Sequence, residues 1–234
     1  MKGNGLPRAE VPAAFDAGAA SYDRLVGLNP GYHRDLRISA RRLLDGGSAQ
    51  RVLDAGCGTG ASTAALLATA PAARVTAIDA SASMLARARA KTWPSTVDFR
   101  HVPVEELSAA DGPFDAILAA YLLRNVADPD ATLRTLRGRL RPGGVLALHE
   151  YSVRDSRRSR AVWNAVCGAI VIPAGRLATG DATLYRHLRR SVLAFDGVGD
   201  LCARLTAAGF TDVRTGTMPG WHRGIVHTVL GTAA

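Results

Sequence analysis

The chain has 234 residues, 47% hydrophobic, with 24 Gly and 11 Pro, which suits one α/β domain with a substantial core and excludes a disordered chain. Basic residues outnumber acids 29 to 20, for a net charge of +9, and only Lys2 and Lys91 are lysines. This excess fits either a GC-rich genome, which enriches Arg and Ala, or a preference for anionic partners such as membrane surfaces or nucleic acid. No apolar run reaches the ~20 residues needed to span a bilayer, and the first residues lack the apolar stretch of a secretory signal. Cys57, Cys167 and Cys202 form neither a CxxC pair nor a zinc spacing, so the expected compartment is a reducing cytoplasm, without disulfides or a bound metal.

In chain order, residues 1–10 read as a loose tail and residues 11–45 as helical. Arg34, Arg37 and Arg41 share one face, and Leu36, Ala40, Leu43 and Leu44 share another. Asp45-Gly46-Gly47-Ser48 stops that helix. Short apolar strands then alternate with helices. Strands are expected at 51–55, 74–79, 97–102, 114–120 and 145–150, the last opened by a Pro142-Gly143-Gly144 turn. Helices fall near 60–69, 81–91 and 130–140. This alternation implies parallel βαβ units. Residues 155–195 read as basic helices broken at Pro173-Ala174-Gly175. A helix near 197–208 and strands near 211–217 and 225–230 close the chain. The expected organisation is a single domain: an N-terminal helical lid (1–50), a cofactor-binding core (51–150), a helical acceptor-side insertion (151–200) and a closing unit (201–234).

Asp54-Ala55-Gly56-Cys57-Gly58-Thr59-Gly60 follows a strand and opens a helix. Gly56, Gly58 and Gly60 let the backbone turn and approach a ligand without a Cβ. Asp79 ends the next strand, where an acid can accept two ribose hydroxyls. Dinucleotide loops read GxGxxG and rest a pyrophosphate on the helix N-terminus. Here the spacing is GxGxG behind an acid, which repels a pyrophosphate and suits a cation. The charge logic favours S-adenosyl-L-methionine over NAD. The structural alternative is that Asp54 caps a helix and Asp79 makes a turn.

On these residues the sequence resembles the class I S-adenosylmethionine-dependent methyltransferases. The resemblance implies a Rossmann-like, seven-stranded, mostly parallel α/β sheet with its last strand antiparallel. It also implies S-adenosyl-L-homocysteine as product. The glycine loop would hold the methionine end and Asp79 the ribose. Ala80, Ser81 and Met84 would lie beside the adenosine. Many members place an acid after the third strand; the register puts Pro103 there, so the adenine contact passes to backbone or to Glu105.

A narrower likeness rests on Phe15-Asp16, Tyr22-Asp23, Tyr121-Leu122-Leu123-Arg124-Asn125-Val126 and Leu140-Arg141-Pro142-Gly143-Gly144. Leu184–Ser191 (LYRHLRRS), Phe195 and Gly224-Ile225-Val226 extend it. These residues resemble the ubiquinone/menaquinone biosynthesis C-methyltransferases, which implies methyl transfer to a ring carbon of a polyprenylated quinol. Asn29-Pro30-Gly31-Tyr32-His33 and Trp221-His222-Arg223 depart from the family wording, and both could border the acceptor pocket. A specialised-metabolite enzyme acting on another aromatic or isoprenoid small molecule, at oxygen or carbon, stays open.

Sulfonium methyl transfer needs alignment, water exclusion and a base or cation for the acceptor phenol. Arg124, beyond the fourth strand, is the first choice to stabilise a phenolate; a surface or structural ion pair is the alternative. Asn125 could bind acceptor or cofactor, or make a turn. Tyr151 could wall the pocket or pack in the core. His149 and Glu150 alternate, so one points elsewhere. Tyr22 could close over the methyl group or pack within the N-terminal helices. His222 is a candidate base near neutral pKa, although a loop histidine is commonly solvated. Tyr185 and His187 are further candidates, and His101 reads as a packing residue. The sequence shows no Asn/Asp-Pro-Pro-Tyr after the fourth strand and no aromatic-interleaved basic platform, which argues against nucleic acid as partner. A scaffold that binds cofactor without turnover and an NAD oxidoreductase are the other classes. Arg34, Arg37, Arg41 and Arg42, with Arg154, Arg157, Arg158 and Arg160, could draw the protein to an anionic membrane or simply form a solvated basic face.

Overall fold

The computed structural model describes residues 29–45, 49–180 and 182–234, together with Asp16, Asp23, Val26 and Gly27. Seven strands form one sheet: β1 (Arg51–Ala55), β2 (Arg74–Asp79), β3 (Val97–His101), β4 (Phe114–Ala120), β5 (Leu140–Tyr151), β6 (Phe210–Thr217) and β7 (Val226–Ala233). Their order is β3-β2-β1-β4-β5-β7-β6, with β7 antiparallel to both neighbours. Strands β1 and β4 carry near-continuous apolar runs because helices cover both faces of the parallel half. The order reverses between β1 and β4, so a crevice opens at the strands' carboxyl ends there, where open α/β sheets bind ligands.

Helix α1 (Tyr32–Leu44) buries Leu36, Ala40, Leu43 and Leu44 and exposes Arg34, Arg37 and Arg41, as its spacing demands. With α2 (Ala61–Thr69) it covers one sheet face. The other face holds the larger core, in which Leu133 and Leu136 of α4 (Pro129–Arg137) meet Leu201 and Leu205 of α8 (Val198–Ala207). Caps sit where the sequence supplies them. The Ser81 hydroxyl accepts from Met84 N at the start of α3 (Ala82–Arg89), and Asp128 accepts from Ala131 N ahead of Pro129.

Three expectations are corrected. Pro142-Gly143-Gly144 does not precede β5 but bulges within it: between Leu140 and Val145 β5 spends four residues, where β4 spends only Asp115 between Phe114 and Ala116. Gly143 supplies the positive φ of 75° that this requires. Pro173-Ala174-Gly175 breaks nothing. Helix α5 (Arg157–Val166) runs through a π turn (Cys167–Val171) into α6 (Ile172–Thr179). The widened turn absorbs the missing proline N–H, which would break an α ladder. Gly175 instead lets the Tyr185 ring of α7 (Thr183–Ala194) approach, since a Cβ there would lie 2.2 Å from it. Finally, β7 runs three residues past Leu230, because Thr232 still pairs with Val145.

Candidate functional site: a nucleoside cradle opening into an aromatic chamber

The turn after β1 is held by backbone. Gly56 N and Cys57 N both donate to Ile78 O at 2.9 Å, and Gly60 N donates to Cys57 O at 2.9 Å. Gly56, Gly58 and Gly60 take φ of 75°, 55° and 90°, a region costly for residues with a Cβ. A Cβ on Gly60 would strike the Trp93 ring at 2.7 Å, whereas one on Gly58 would meet only the Met84 methyl at 3.8 Å. Gly58 therefore keeps an open flank toward a cavity of about 880 Å³.

Asp79 joins the two halves of this cradle. Its Oδ2 accepts from Gly58 N at 2.7 Å and its Oδ1 from Ser81 N at 2.8 Å. Burial raises its pKa, and those two N–H donors oppose the rise. Asp79 lines the cavity, and each oxygen keeps a further lone pair for a hydroxyl. Ala80, Ser81, Met84, Pro103, Val104 and Glu105 continue the wall.

Asp54 is placed differently from expectation. It is fully buried behind the loop, not on the cavity wall. Its Oδ2 accepts from the Ser62 and Thr63 hydroxyls at 2.8 and 2.6 Å, while Oδ1 is buried without a partner. Burial pushes its pKa up to about 7 despite those hydroxyls. It braces the start of α2 and adds a titratable negative charge beneath the cradle. His101 is also corrected: rather than packing in the core it is exposed, with Nε2 3.0 Å from Ala80 O, because β3 is an edge strand. Open glycine flank, ribose-ready acid, apolar Met84 and buried acidic charge together fit a nucleoside with a cationic tail.

Two acids beyond the expected site also reach the cradle. Asp16 accepts from the Ser81 hydroxyl and from Ser83 N. Asp23 accepts from the Thr59 hydroxyl and pairs with Lys91 at 2.9 Å. The available signal was the repeated aromatic-Asp pair Phe15-Asp16 and Tyr22-Asp23. Tyr22 itself lies outside the described residues.

Past the cradle the cavity becomes aromatic. Tyr32 of α1, Tyr121 after β4, Tyr151 ending β5 and Trp163 of α5 share its wall. The Tyr121 ring stacks on Tyr151 at 4.7 Å and on Tyr32 at 5.7 Å, and Trp163 tilts against Tyr151 at 4.8 Å. Asn29, Pro30 and Trp221 also line it, with Trp221 Nε1 donating to Pro30 O at 2.8 Å. The two departing segments thus meet at the cavity. Tyr185, His187 and Leu188 come from α7, and burial lowers the His187 pKa.

Arg124 lies on the wall, 8% exposed, with Nε 3.4 Å from Glu150 Oε1. Its Nη1 donates to Asn125 Oδ1 at 3.3 Å and to the Ser191 hydroxyl at 3.1 Å. Asn125 also lines the cavity and donates to Tyr121 O at 2.8 Å. The guanidinium is fixed on two sides and faces the chamber as an oriented, partly neutralised cation. Burial raises the Glu150 pKa, and Arg124 opposes the rise. His149 points to the opposite sheet face, toward α1. His222 is not on the cavity wall. It is fully buried and its Nδ1 bonds Asp35, a placement that keeps it from an acceptor, while its neighbour Trp221 takes the wall position.

Comparison with known proteins agrees with this geometry. The model of the ubiE/COQ5 methyltransferase family matches residues 5–231. The chain is 32% identical over 222 residues to a demethylmenaquinone methyltransferase of Clavibacter sepedonicus, covering 92% of this chain and 90% of that one. It is likewise 32% identical over 226 residues to the ubiquinone/menaquinone biosynthesis C-methyltransferase UbiE of Pseudomonas paraeruginosa, covering 92% and 88%. Among solved structures, the [4+2]-cyclase SpnF shares the fold with a TM-score of 0.69 at 20% identity, covering 95% of this chain and 94% of that one. The chain belongs to the ubiE/COQ5 methyltransferase family and is an S-adenosylmethionine-dependent methyltransferase.

Proposed function

We propose that the protein methylates a ring carbon of a prenylated quinol. The observation that carries this reading is the continuous cavity, which passes from a nucleoside cradle into a chamber walled by Tyr32, Tyr121, Tyr151 and Trp163. Two relatives named for menaquinone and ubiquinone methylation support it. Bound S-adenosylmethionine supplies an electrophilic methyl group on a sulfonium. Asp79 would take the ribose, the glycine turn the methionine end, and Ala80, Met84 and Glu105 the adenosine side. The protein's task is alignment. The aromatic wall holds a flat ring, excludes water and leaves an apolar exit past Val162, Val166 and Ile170 for a prenyl tail. Arg124 faces the oxyanion that makes the ring carbon nucleophilic, and Glu150 and Asn125 hold its plane. Arg124 stays cationic and removes no proton.

The test is incubation with methyl-labelled S-adenosylmethionine and a short-chain demethylmenaquinol, followed by mass spectrometry. Label on a ring carbon is expected; label on oxygen, or cofactor binding without any transfer, sinks the reading.

The same acceptor requires access to a bilayer. Among the described residues no helix is long and apolar enough to cross a membrane. Ile170 is 61% and Leu177 88% exposed, and Ile170 also lines the cavity. Arg157, Arg158 and Arg160 are exposed on α5, and Arg176 on α6. We infer that this helical edge rests on an anionic surface, each arginine adding up to ~1 kcal/mol. Three arginines of the wider basic set are engaged otherwise: Arg34 holds Asp35 and Pro219 O, Arg42 holds Gly216 O and Thr217 O, and Arg154 pairs with Asp196 and Asp200. Vesicles with anionic lipid should sediment the protein, and Ile170→Asp with Leu177→Asp should release it. Equal sedimentation with neutral vesicles would defeat the electrostatic part.

A further inference from the structure

A chain of polar side chains crosses the apolar layer between α1 and the sheet and ends at the cavity wall. Arg42 Nη1 lies 2.9 Å from Thr228 Oγ1, and Thr228 Oγ1 lies 2.6 Å from Ser39 Oγ. Ser39 Oγ lies 2.7 Å from His149 Nδ1, and His149 Nε2 lies 2.9 Å from the Tyr121 hydroxyl. The Tyr121 ring in turn stacks on Tyr151 at 4.7 Å, and both line the cavity. Ser39, His149 and Thr228 are fully buried, and His149 and Thr228 are direct cross-strand partners.

The direction of every hydrogen follows from one end. Arginine can only donate. Thr228 accepts from Arg42, and among the described partners of its fully buried hydroxyl the one acceptor is Ser39, so its own hydrogen goes there. Ser39 gives its hydrogen to Nδ1 of His149, which leaves the proton of the neutral ring on Nε2. His149 thus donates to the Tyr121 oxygen, and Tyr121 must pass its O–H onward, to the side where Tyr151 and the cavity lie. Burial holds His149 neutral, its pKa pushed down to about 3, so the ring transmits polarity without acting as a base. A second observation marks the same residue: Tyr121 takes a positive φ of 55°, uncommon for a bulky side chain, and this sets its ring between Tyr32 and Tyr151.

The geometry points to the Tyr121 hydroxyl, polarised through His149, as the subsite that receives an anionic or carbonyl oxygen of the acceptor. Tyr121 is a binding and catalytic contact; His149, Ser39 and Arg42 are positioning residues. The assignment rests on the proposed methylation of an aromatic oxygen-bearing ring, and it adds that the acceptor is held as an oxyanion by donors on two sides, Arg124 and Tyr121.

The test uses the full chain with S-adenosylhomocysteine bound and 4-nitrophenol as probe. Its phenolate absorbance reports ionisation in the site. In the wild type the bound phenol should ionise at lower pH than in water. Tyr121→Phe keeps the ring stack and should return ionisation toward the solution value, while S-adenosylhomocysteine affinity by calorimetry stays unchanged. With a short-chain demethylmenaquinol, Tyr121→Phe should lower kcat about ten- to a hundred-fold, the size expected for one hydrogen bond to a charged oxygen. His149→Phe should produce most of that loss, and the double variant no more than Tyr121→Phe alone, since the residues act in series. An unshifted phenol in the wild type, full kcat in Tyr121→Phe, or additive losses in the double variant would overturn the assignment. Absence of turnover with the quinol, beside a shifted phenol, would instead break the choice of substrate and leave the subsite standing.

Discussion

The two ends of the cavity are built from different materials. The cradle is mostly backbone: three glycines with positive φ, two N–H groups on Ile78 O, and one carboxylate that ties Gly58 to Ser81. The aromatic chamber is entirely side chain, drawn from α1, β4, β5, α5, α7 and the turn at 220–222. A backbone site has few solutions, because only certain residues tolerate its dihedral angles. A side-chain chamber has many, because any large apolar group can supply wall. The first should be brittle to single changes and the second graded.

The sharpest way to break that contrast is Asp79→Ala. Losing its carboxylate leaves Gly58 N and Ser81 N without their acceptor and removes the proposed ribose partner. With each charge-assisted bond worth about 1.5–3 kcal/mol, S-adenosylhomocysteine affinity should fall by roughly a hundred-fold or more in calorimetry. Near-normal affinity would show that the cradle is not held as described. Next in size is the buried pair on the chamber side. Arg124→Met leaves Glu150 buried beside no cation, at a cost of about 3–5 kcal/mol. For a chain of this length that lowers Tm by roughly ten degrees. Adding Glu150→Leu should restore much of the Tm and none of the turnover. A double variant that regains turnover would reduce Arg124 to a structural ion.

The same division explains what could be read beforehand. Alternating apolar strands and helices located five parallel strands, and Asp-x-Gly-x-Gly-x-Gly with Asp79 located the turn and carboxylate of the cradle, because these patterns encode backbone geometry. Asp54 was harder. Spacing places it at the end of β1 but does not say on which side of the loop its carboxyl lies; strand alternation sends it under the turn, toward Ser62 and Thr63. His222 was illegible because its partner, Asp35, is remote in sequence and joined to it only by the fold. Tyr121 and His149 were separated by the same distance problem: each looked like a strand-end residue until the β4–β5 register set them side by side.

A smaller effect comes from two buried groups with opposite pH signs. The Asp54 pKa rises from 3.8 to about 7, so the native state keeps a proton that the unfolded chain gives up. Its contribution to stability is lost as pH rises through that window. The His149 pKa falls from 6.5 to about 3, so the unfolded chain takes a proton that the native state refuses. Its contribution is lost as pH falls through its own window. Between about pH 4 and 6 the two oppose, each with a slope near 1.4 kcal/mol per pH unit. Relative to wild type, Asp54→Asn should make stability climb more steeply with pH, and His149→Phe should make it decline. Denaturant unfolding at several pH values checks both signs, and identical slopes in the two variants would refute the burial of one group.

The smallest expected effect concerns the contacts that Asp16 and Asp23 make with the cradle. Asp16 reaches Ser81 and Ser83, while Asp23 reaches Thr59 and Lys91. Of these partners Thr59 and Ser81 belong to the two turns that line the cavity, so these acids act as clasps on a backbone site rather than as ligands. The Ser81 hydroxyl lowers the Asp16 pKa, which keeps that clasp charged well below neutral pH. Exposed pairs contribute little, about 0.2–1 kcal/mol each. Asp23→Asn or Lys91→Ala should therefore speed S-adenosylhomocysteine release only about two- to five-fold in stopped flow. The association rate should change less, because the cradle is complete without them. If instead Asp23→Asn abolished binding, Asp23 would be part of the cofactor site itself, and the boundary between a backbone cradle and its side-chain surroundings would have to be redrawn.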